Sequence, residues 1–387
     1  MDPLTLNTRH LRAMVEIVGS RRISSAARAV NLTQPAVTQG IAKLEAQIGL
    51  PLFDRRPDGM LPTEAARVLA PRVQAALRLI GNRRATGAQM RAYLALAETG
   101  SYAAAAAMTG LSQASLHRAV SDLSTTVGQK LVERRGRGIV LTARGAALAR
   151  NFRLARSEMR SAIAELSSLQ GRETGRIVVG AMPLSRARLL PKVISLFHAR
   201  HPEVDLSIVE GSYGELIGPL RDGEIDLLVG ALRPHQPEGI AQQALFEDHP
   251  IIIGRAGHPL AKPWAANPAD LVRFPWIVPA PGTPLRTQWH VMFESAGVEP
   301  PRVPIECGSV IMVRQILVDS DFLTLLSADQ VRVELDAGWL VAIGNALGDV
   351  SRTIGISTRE DWRPTALQSL FTKALAEQAT LMNRPIS

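Results

Sequence analysis

The sequence predicts a multidomain protein: an all-α front half of two tandem winged helix-turn-helix domains, a long linker helix, and an α/β back half. Three observations point there. Residues 24–44 read as two short helices with a tight turn between them. Residues 90–145 repeat residues 11–66 without a gap, and beyond residue 175 the pattern changes to alternating strands and helices. The charge divides at the same place. Residues 1–170 hold 24 Lys and Arg against 11 Asp and Glu, a net of +13, while residues 171–387 hold 20 against 24, a net of −4, which together make the +9 of the chain. A basic front half on a mildly acidic back half fits a polyanion-binding module joined to a separate domain.

The length of 387 residues suits two or three domains, and a hydrophobic content of 46% is ample for real cores. Residues 8–18 form the first helix, with Leu11, Met14, Val15 and Val18 inward. In the helix pair that follows, Ala26, Ala27 and Ala29 allow close approach, and Val30 and Leu32 turn inward. Thr33 is the N-cap of the second helix, where Pro35 is tolerated because first-turn N–H groups have no helical partner. Val37, Ile41 and Leu44 make one buried stripe, leaving Gln34, Thr38, Gln39 and Lys43 on the opposite face, as in a recognition helix. Residues 49–63 read as two extended arms around a Pro57-Asp58-Gly59 turn, a wing on which Arg55 and Arg56 are placed to clamp phosphate. Residues 64–80 are then a helix with Val68, Leu69, Val73, Ala76, Leu77 and Ile80 inward.

At these residues the chain resembles the LysR-type transcriptional regulators. The stretch AARAVNLTQPAVTQGIAKLEAQIGLPLFDRR carries that family's signature, with Gln34, Pro35, Ala36, Val37, Leu44, Glu45, Gly49, Leu52, Phe53 and Arg55 in place. Thr33, Gln34, Pro35, Ala36, Thr38, Gln39, Lys43, Arg55 and Arg56 are therefore expected to meet double-stranded operator or promoter DNA.

From Met90 the pattern recurs at an offset of about 79 residues, and self-similarity at a fixed period means a repeated structural unit. The familiar chain of the family has one such unit, so this one departs from it. The copies are unequal: Gln34-Pro35-Ala36-Val37 becomes Gln113-Ala114-Ser115-Leu116, Leu44-Glu45 becomes Leu123-Ser124, and Phe53 becomes Val132. The second recognition face would hold Ser112, Gln113, Ser115, His117, Arg118 and Asp122, with Arg134 and Arg135 on its wing. Arg118 suits guanine and Gln113 adenine in the major groove. Three arrangements stay open: both copies touch DNA, the first alone does, or the second reads while the first serves assembly.

Residues 143–169 are helical over a long span, with Leu148, Phe152, Ala155, Met159, Ile163 and Leu166 at coiled-coil-like spacing. In the family this helix pairs two subunits, which implies a homodimer or homotetramer through residues 143–171 and the back half. Gly171 and Gly175 mark a hinge. Strands at 176–181, 204–210 and 225–230 alternate with helices at 189–198 and 213–221, which argues for a parallel-sheet α/β domain. The segment resembles the opening of the LysR-type effector domain, a periplasmic-binding-protein-like fold of two lobes around a cleft. The expected divisions are 1–63 and 87–142 for the two winged domains, 64–86 and 143–171 for their linkers, and 176–387 for the effector domain. Lobe I takes about 176–254 and 345–387, lobe II about 255–344, with a final helix at 365–381.

Loops that open helices offer free N–H groups and hydroxyl side chains, so Ser185, Ser212, Thr283 and Ser309 are effector-binding candidates, with Arg286 as partner for a charged or hydroxylated effector. Each hydroxyl alone is equally an ordinary helix cap. The stretches GRIVVGAMPLSRARLLPKVISLFHARHP and DWRPTALQSLF resemble the sugar-responsive branch named for the regulator of a galactose-binding protein. That implies a monosaccharide or sugar acid, with Tyr213, Trp264, Trp276 and Trp289 available to stack on it or simply to pack.

Other chemistries find little support. Cys307 is the one cysteine, which excludes a disulfide framework and suits a reducing cytoplasm. His198 and His201 lack ligand-spaced partners, and neither a GxxxxGK[ST] loop nor a GxSxG elbow occurs, so no catalytic residue, metal or cofactor is expected. The N-terminus shows no signal peptide and no apolar run approaches a membrane span. The expected protein is a cytoplasmic regulator whose partners are DNA, a small-molecule effector, its own copies and RNA polymerase, with no membrane. A solute-binding protein acting without DNA is the rival reading.

Overall fold

The computed structural model describes residues 2–56, 59–136, 138–261, 267–348 and 350–382. The chain forms two compact units, one built on Met1–Gly175, the other on Arg176–Arg221, Ile225–Arg363 and Leu367–Ser387.

In the first unit α1 (Thr8–Ser20), α2 (Ile23–Val30) and α3 (Gln34–Ile48) lead into a hairpin of β1 (Phe53–Arg56) and β2 (Gly59–Pro62), then α4 (Glu64–Ile80). The order repeats as α5 (Gly87–Thr99), α6 (Tyr102–Thr109), α7 (Gln113–Val127), β3 (Val132–Arg135), β4 (Gly138–Leu141) and α8 (Ala143–Leu169). Gln113 stands 79 residues after Gln34 and Ala143 79 after Glu64, so each element starts at its counterpart's place.

Local chemistry sets these starts. The Thr33 hydroxyl accepts from the Ala36 amide at 3.4 Å and that of Ser112 from the Ser115 amide at 3.1 Å. Thr63 and Thr142 cap α4 and α8 in the same way. One hydrophobic core then runs through both helical repeats, from Leu4, Met14, Ile17 and Leu44 to Tyr93, Leu123, Phe152 and Leu166. Pro57 and Asp58 of the expected wing turn lie outside the described residues.

The seam of α8 is where expectation and structure part. Phe152, Ala155, Met159 and Leu166 are buried within this chain, against a core that includes Leu69, Val73, Ala76 and Ile80 of α4, rather than left for a second subunit. Arg72 of α4 lies between Glu158 and Glu165 of α8, at 3.4 and 2.5 Å. Helical periodicity shows that a stripe is covered but not by what, and the repeat supplies a cover from the same chain.

The second unit runs β5 (Gly175–Ala181), α9 (Leu189–Arg200), β6 (Val204–Glu210), α10 (Tyr213–Arg221), β7 (Leu227–Ala231), β8 (Ile240–Asp248) and β9 (Ile251–Arg255). Then come α11 (Pro268–Leu271), β10 (Ile277–Val278), α12 (Pro284–Ser295), β11 (Ile305–Glu306), α13 (Val310–Val318) and β12 (Thr324–Leu326). The chain finishes with α14 (Arg332–Asp336), β13 (Leu340–Asn345), β14 (Arg352–Arg359) and α15 (Ala366–Met382). One lobe holds a sheet of order β6-β5-β7-β14-β8, and the other holds β12-β9-β13 with the pair β10-β11. β5 and β7 are parallel, as expected, but β14 is antiparallel to both β7 and β8, so the sheet is mixed. Residue patterns report that a strand is buried and not which way it runs. β14 re-enters its sheet from the other lobe, and its direction follows from that return.

Candidate nucleic-acid interface and ligand cavity

On α3, Val37, Ile41 and Leu44 face the core, while Thr33, Gln34, Pro35, Gln39 and Lys43 are exposed and Ala36 and Thr38 half-exposed. Gln34, Pro35, Thr38 and Gln39 border one shallow depression with Ile23 and Ala42. The Thr38 hydroxyl donates to the Gln34 carbonyl at 3.0 Å, a bond back to its own helix. On α7 the exposed set is Ser112, Gln113, Ser115, His117, Arg118 and Asp122. His117 is steadied by stacking on Tyr102, ring centroids 5.0 Å apart. Arg55, Arg56, Arg134 and Arg135 are exposed on β1 and β3. Each of the two helix-turn-helix repeats thus presents one polar helix face and a pair of guanidinium groups, and no side chain of the pairs is spent in the core.

The second unit encloses a cavity of about 430 Å³ between its lobes. Its walls are mostly apolar, from Met182 and Leu184 on one lobe to Leu285 and Leu326 on the other. Three residues that line it each carry a buried polar atom without a hydrogen-bond partner among the described residues: the Tyr213 hydroxyl, Gln330 Oε1 and Arg352 Nη2. Arg352 is held in place because its Nε donates to buried Asp248 at 2.7 Å. The Arg233 guanidinium lies 4.1 Å over the Tyr213 ring. Buried polar atoms left unpaired are costly, and three on residues around one cavity are groups that a small turn of each side chain would offer to a ligand.

The expected effector residues fare unequally. Ser212 and Thr283 line the cavity, but both hydroxyls are engaged locally. Ser212 donates to Glu215 at 2.8 Å, and its amide and hydroxyl hold that carboxyl below the usual carboxylate range. Thr283 donates to the Ala280 carbonyl and caps α12. Ser185 is wholly buried with its hydroxyl on the Met182 carbonyl and does not line the cavity. Arg286 is also turned away, bonded to Pro279, His290 and Glu306. Ser309 borders a neighbouring depression instead. Trp276 and Trp289 are fully buried against each other and Phe293, and Trp264 lies outside the described residues.

Two family models match this chain. That of the LysR substrate binding domain covers residues 170–380, and that of the bacterial regulatory helix-turn-helix protein, lysR family, covers residues 8–67 and again 88–146. The chain belongs to the LysR family. It is 30% identical to the HTH-type transcriptional regulator GalR of Pseudomonas putida over 96% of this chain and 98% of that one. The regulator PcaQ of Agrobacterium fabrum is 28% identical over 75% of this chain and 94% of its own. The crystal structure of CbnR, a LysR family transcriptional regulator, shares the fold with a TM-score of 0.56 at 20% identity, over 75% of this chain and 98% of that one. The LysR-type chain is accordingly a DNA-binding transcriptional regulator with a substrate-binding effector domain.

Tyr213, Arg233, Gln330 and Arg352 are the cavity residues that sequence reasoning missed as a set. They come from α10, the turn after β7, the turn before α14 and β14, and no local motif links them. Among the described residues no group of His, Cys, Asp and Glu is arranged to hold a metal, and no helix is long and apolar enough to cross a membrane.

Proposed function

We propose that this LysR-type regulator reads DNA with both of its helix-turn-helix heads and responds to a small hydroxylated carboxylate, sugar acids included. The observation that carries the effector class is the convergence of Gln330, Arg352 and Tyr213, each with an unpaired buried polar atom, on the walls of one cavity beside Arg233. A carboxylate suits the two guanidinium groups, and ligand hydroxyls suit the amide oxygen and the phenol. A neutral monosaccharide is less well matched, because Trp276 and Trp289, which could have stacked on it, are packed in the core.

On this reading the protein works in the cytoplasm at promoters, with RNA polymerase as a further partner and its own copies associating through the effector domain. Differential affinity of the effector for one closure state of the lobes biases the arrangement of the heads on DNA.

A melting-temperature panel of neutral monosaccharides, sugar acids and simple hydroxy acids tests the effector class. A ligand at 100 times its Kd stabilises its domain by about 2.7 kcal/mol. The expected rise comes with hydroxylated carboxylates and is lost in Gln330→Leu. A rise with neutral sugars alone overturns the acid reading. For DNA, replacing Arg55 and Arg56 by Ala should shallow the salt dependence of binding by about two units, and so should the same change at Arg134 and Arg135. An unchanged slope removes that wing from the interface.

A further inference from the structure

Helices α4 and α8 follow the two heads at the same place in the repeat, and they pack against each other in opposite directions. At one end, Gln170 just beyond α8 donates to the carbonyl of Gly49, which precedes the hairpin leading into α4. At the other end, Asn82 just beyond α4 donates to the Thr126 carbonyl at 3.0 Å, near the close of α7 and so on the side from which α8 starts. Between them Arg72 spans Glu158 and Glu165. The start of α4 therefore lies toward the end of α8, and the end of α4 toward the first half of α8.

The two helices also use the same face. Val73, Ala76 and Ile80 are buried on α4, and the residues 79 places later, Phe152, Ala155 and Met159, are buried on α8. Equivalent helices packed antiparallel through equivalent faces are what an isologous contact between two subunits makes, here closed inside one chain. Such a contact relates the two heads by an approximate two-fold axis. The backbone of a DNA duplex has that symmetry too, and heads so related meet half-sites in opposite orientation.

The halves read, however, are not alike. At corresponding positions of the recognition helices Thr38 is matched by His117, Gln39 by Arg118, and Lys43 by Asp122, which reverses the charge. We infer that a single chain is the complete two-headed reader, and that its target is a bipartite site whose halves are inverted in orientation but different in sequence. This rests on the reading that both heads bind DNA. Association of further copies through the effector domain would add whole readers, not complete a partial one.

Selection from random duplexes by the full-length protein tests it, together with the variants Thr38→Ala/Gln39→Ala and Arg118→Ala, whose side chains are outside the core. The expected motif has two unlike halves. Each variant should lose preference, by about 10-fold or more, in one half only, and a different half for each. At saturation the ratio should be one chain per bipartite site, and inserting about five base pairs, half a helical turn, between the halves should abolish tight binding. A motif with two identical inverted halves, filled by two chains and indifferent to Arg118→Ala, overturns the proposal while leaving DNA binding by the first head intact. Failure of all three proteins to enrich any sequence removes the DNA reading beneath it as well.

Discussion

The first and second heads have helices of 13, 8 and 15 residues in the same order, yet they hold them by different means. In the first head α1 and α2 end on Arg21 and Asn31 in the left-handed region, at φ 59° and 53°, where the second head has Gly100 and Gly110. The first hairpin is pinned by a carboxylate: Glu45 Oε1 accepts from the Leu52 amide at 2.8 Å and from Phe53 at 3.3 Å. The second has Ser124 there, and its hydroxyl turns back onto its own helix at Val120. In the first head His10 sits where a Cβ on Gly40 would come within 2.7 Å of its ring. The second puts Ala119 and Gln89 at those places, and Gln89 is committed to a capping box with Thr86. The difference teaches that element boundaries tolerate divergence in the groups that secure them, provided each backbone turn and each buried amide finds some solution.

Four tests break or sharpen that comparison. The largest effect is expected where α8 begins. A Cβ on Gly145 would lie 2.0 Å from the Leu131 carbonyl, whereas its counterpart in the first repeat is a buried Ala66. Gly145→Ala should cost about 3 kcal/mol and Ala66→Gly only about 1, read from denaturant midpoints. Equal costs would mean that the two heads approach their following helices equally closely.

Next is the carboxylate pin. Glu45→Ala should cost about 2 kcal/mol and speed hydrogen exchange at the Leu52 and Phe53 amides, since bonds to a charged acceptor exceed neutral ones. Ser124→Ala should be close to neutral. If both behave alike, the first hairpin is secured by something other than Glu45.

The turns come third. Arg21→Gly should stabilise by up to about 1 kcal/mol by relieving a left-handed side chain, and Gly100→Arg should destabilise by a similar amount. A loss on Arg21→Gly would show that the arginine side chain returns more than its backbone costs.

The smallest effect is a pH dependence confined to the first head. Burial, and then the neighbouring Lys43 ammonium, hold the His10 imidazole below its ordinary pKa. With the folded value lowered, the unfolded chain takes up the proton first. Stability from this group is therefore complete above about pH 6.5 and is lost as pH falls from there toward the folded value. Thermal melts between pH 7.5 and 5.5 should show a decline that His10→Gln removes. An unchanged decline places the titrating group elsewhere.

What could be read without coordinates was local. Thr33 announces the start of α3 because a hydroxyl capping an amide three residues on is a short-range event, and the structure shows Thr63, Ser112 and Thr142 capping α4, α7 and α8 by the same chemistry. The repeat was legible for the same reason, each copy carrying its own caps and stripes. What only the tertiary structure decided was which surfaces meet. The stripe ending at Leu166 is satisfied by α4 of the same chain. β14 enters its sheet antiparallel. Ser185 and Arg286 turn into local hydrogen bonds, whereas Tyr213, Gln330 and Arg352 converge from distant segments on one cavity. Periodicity and capping encode that a face is covered or a terminus satisfied, but the identity of the cover depends on contacts between residues far apart in the chain, and no local pattern records those.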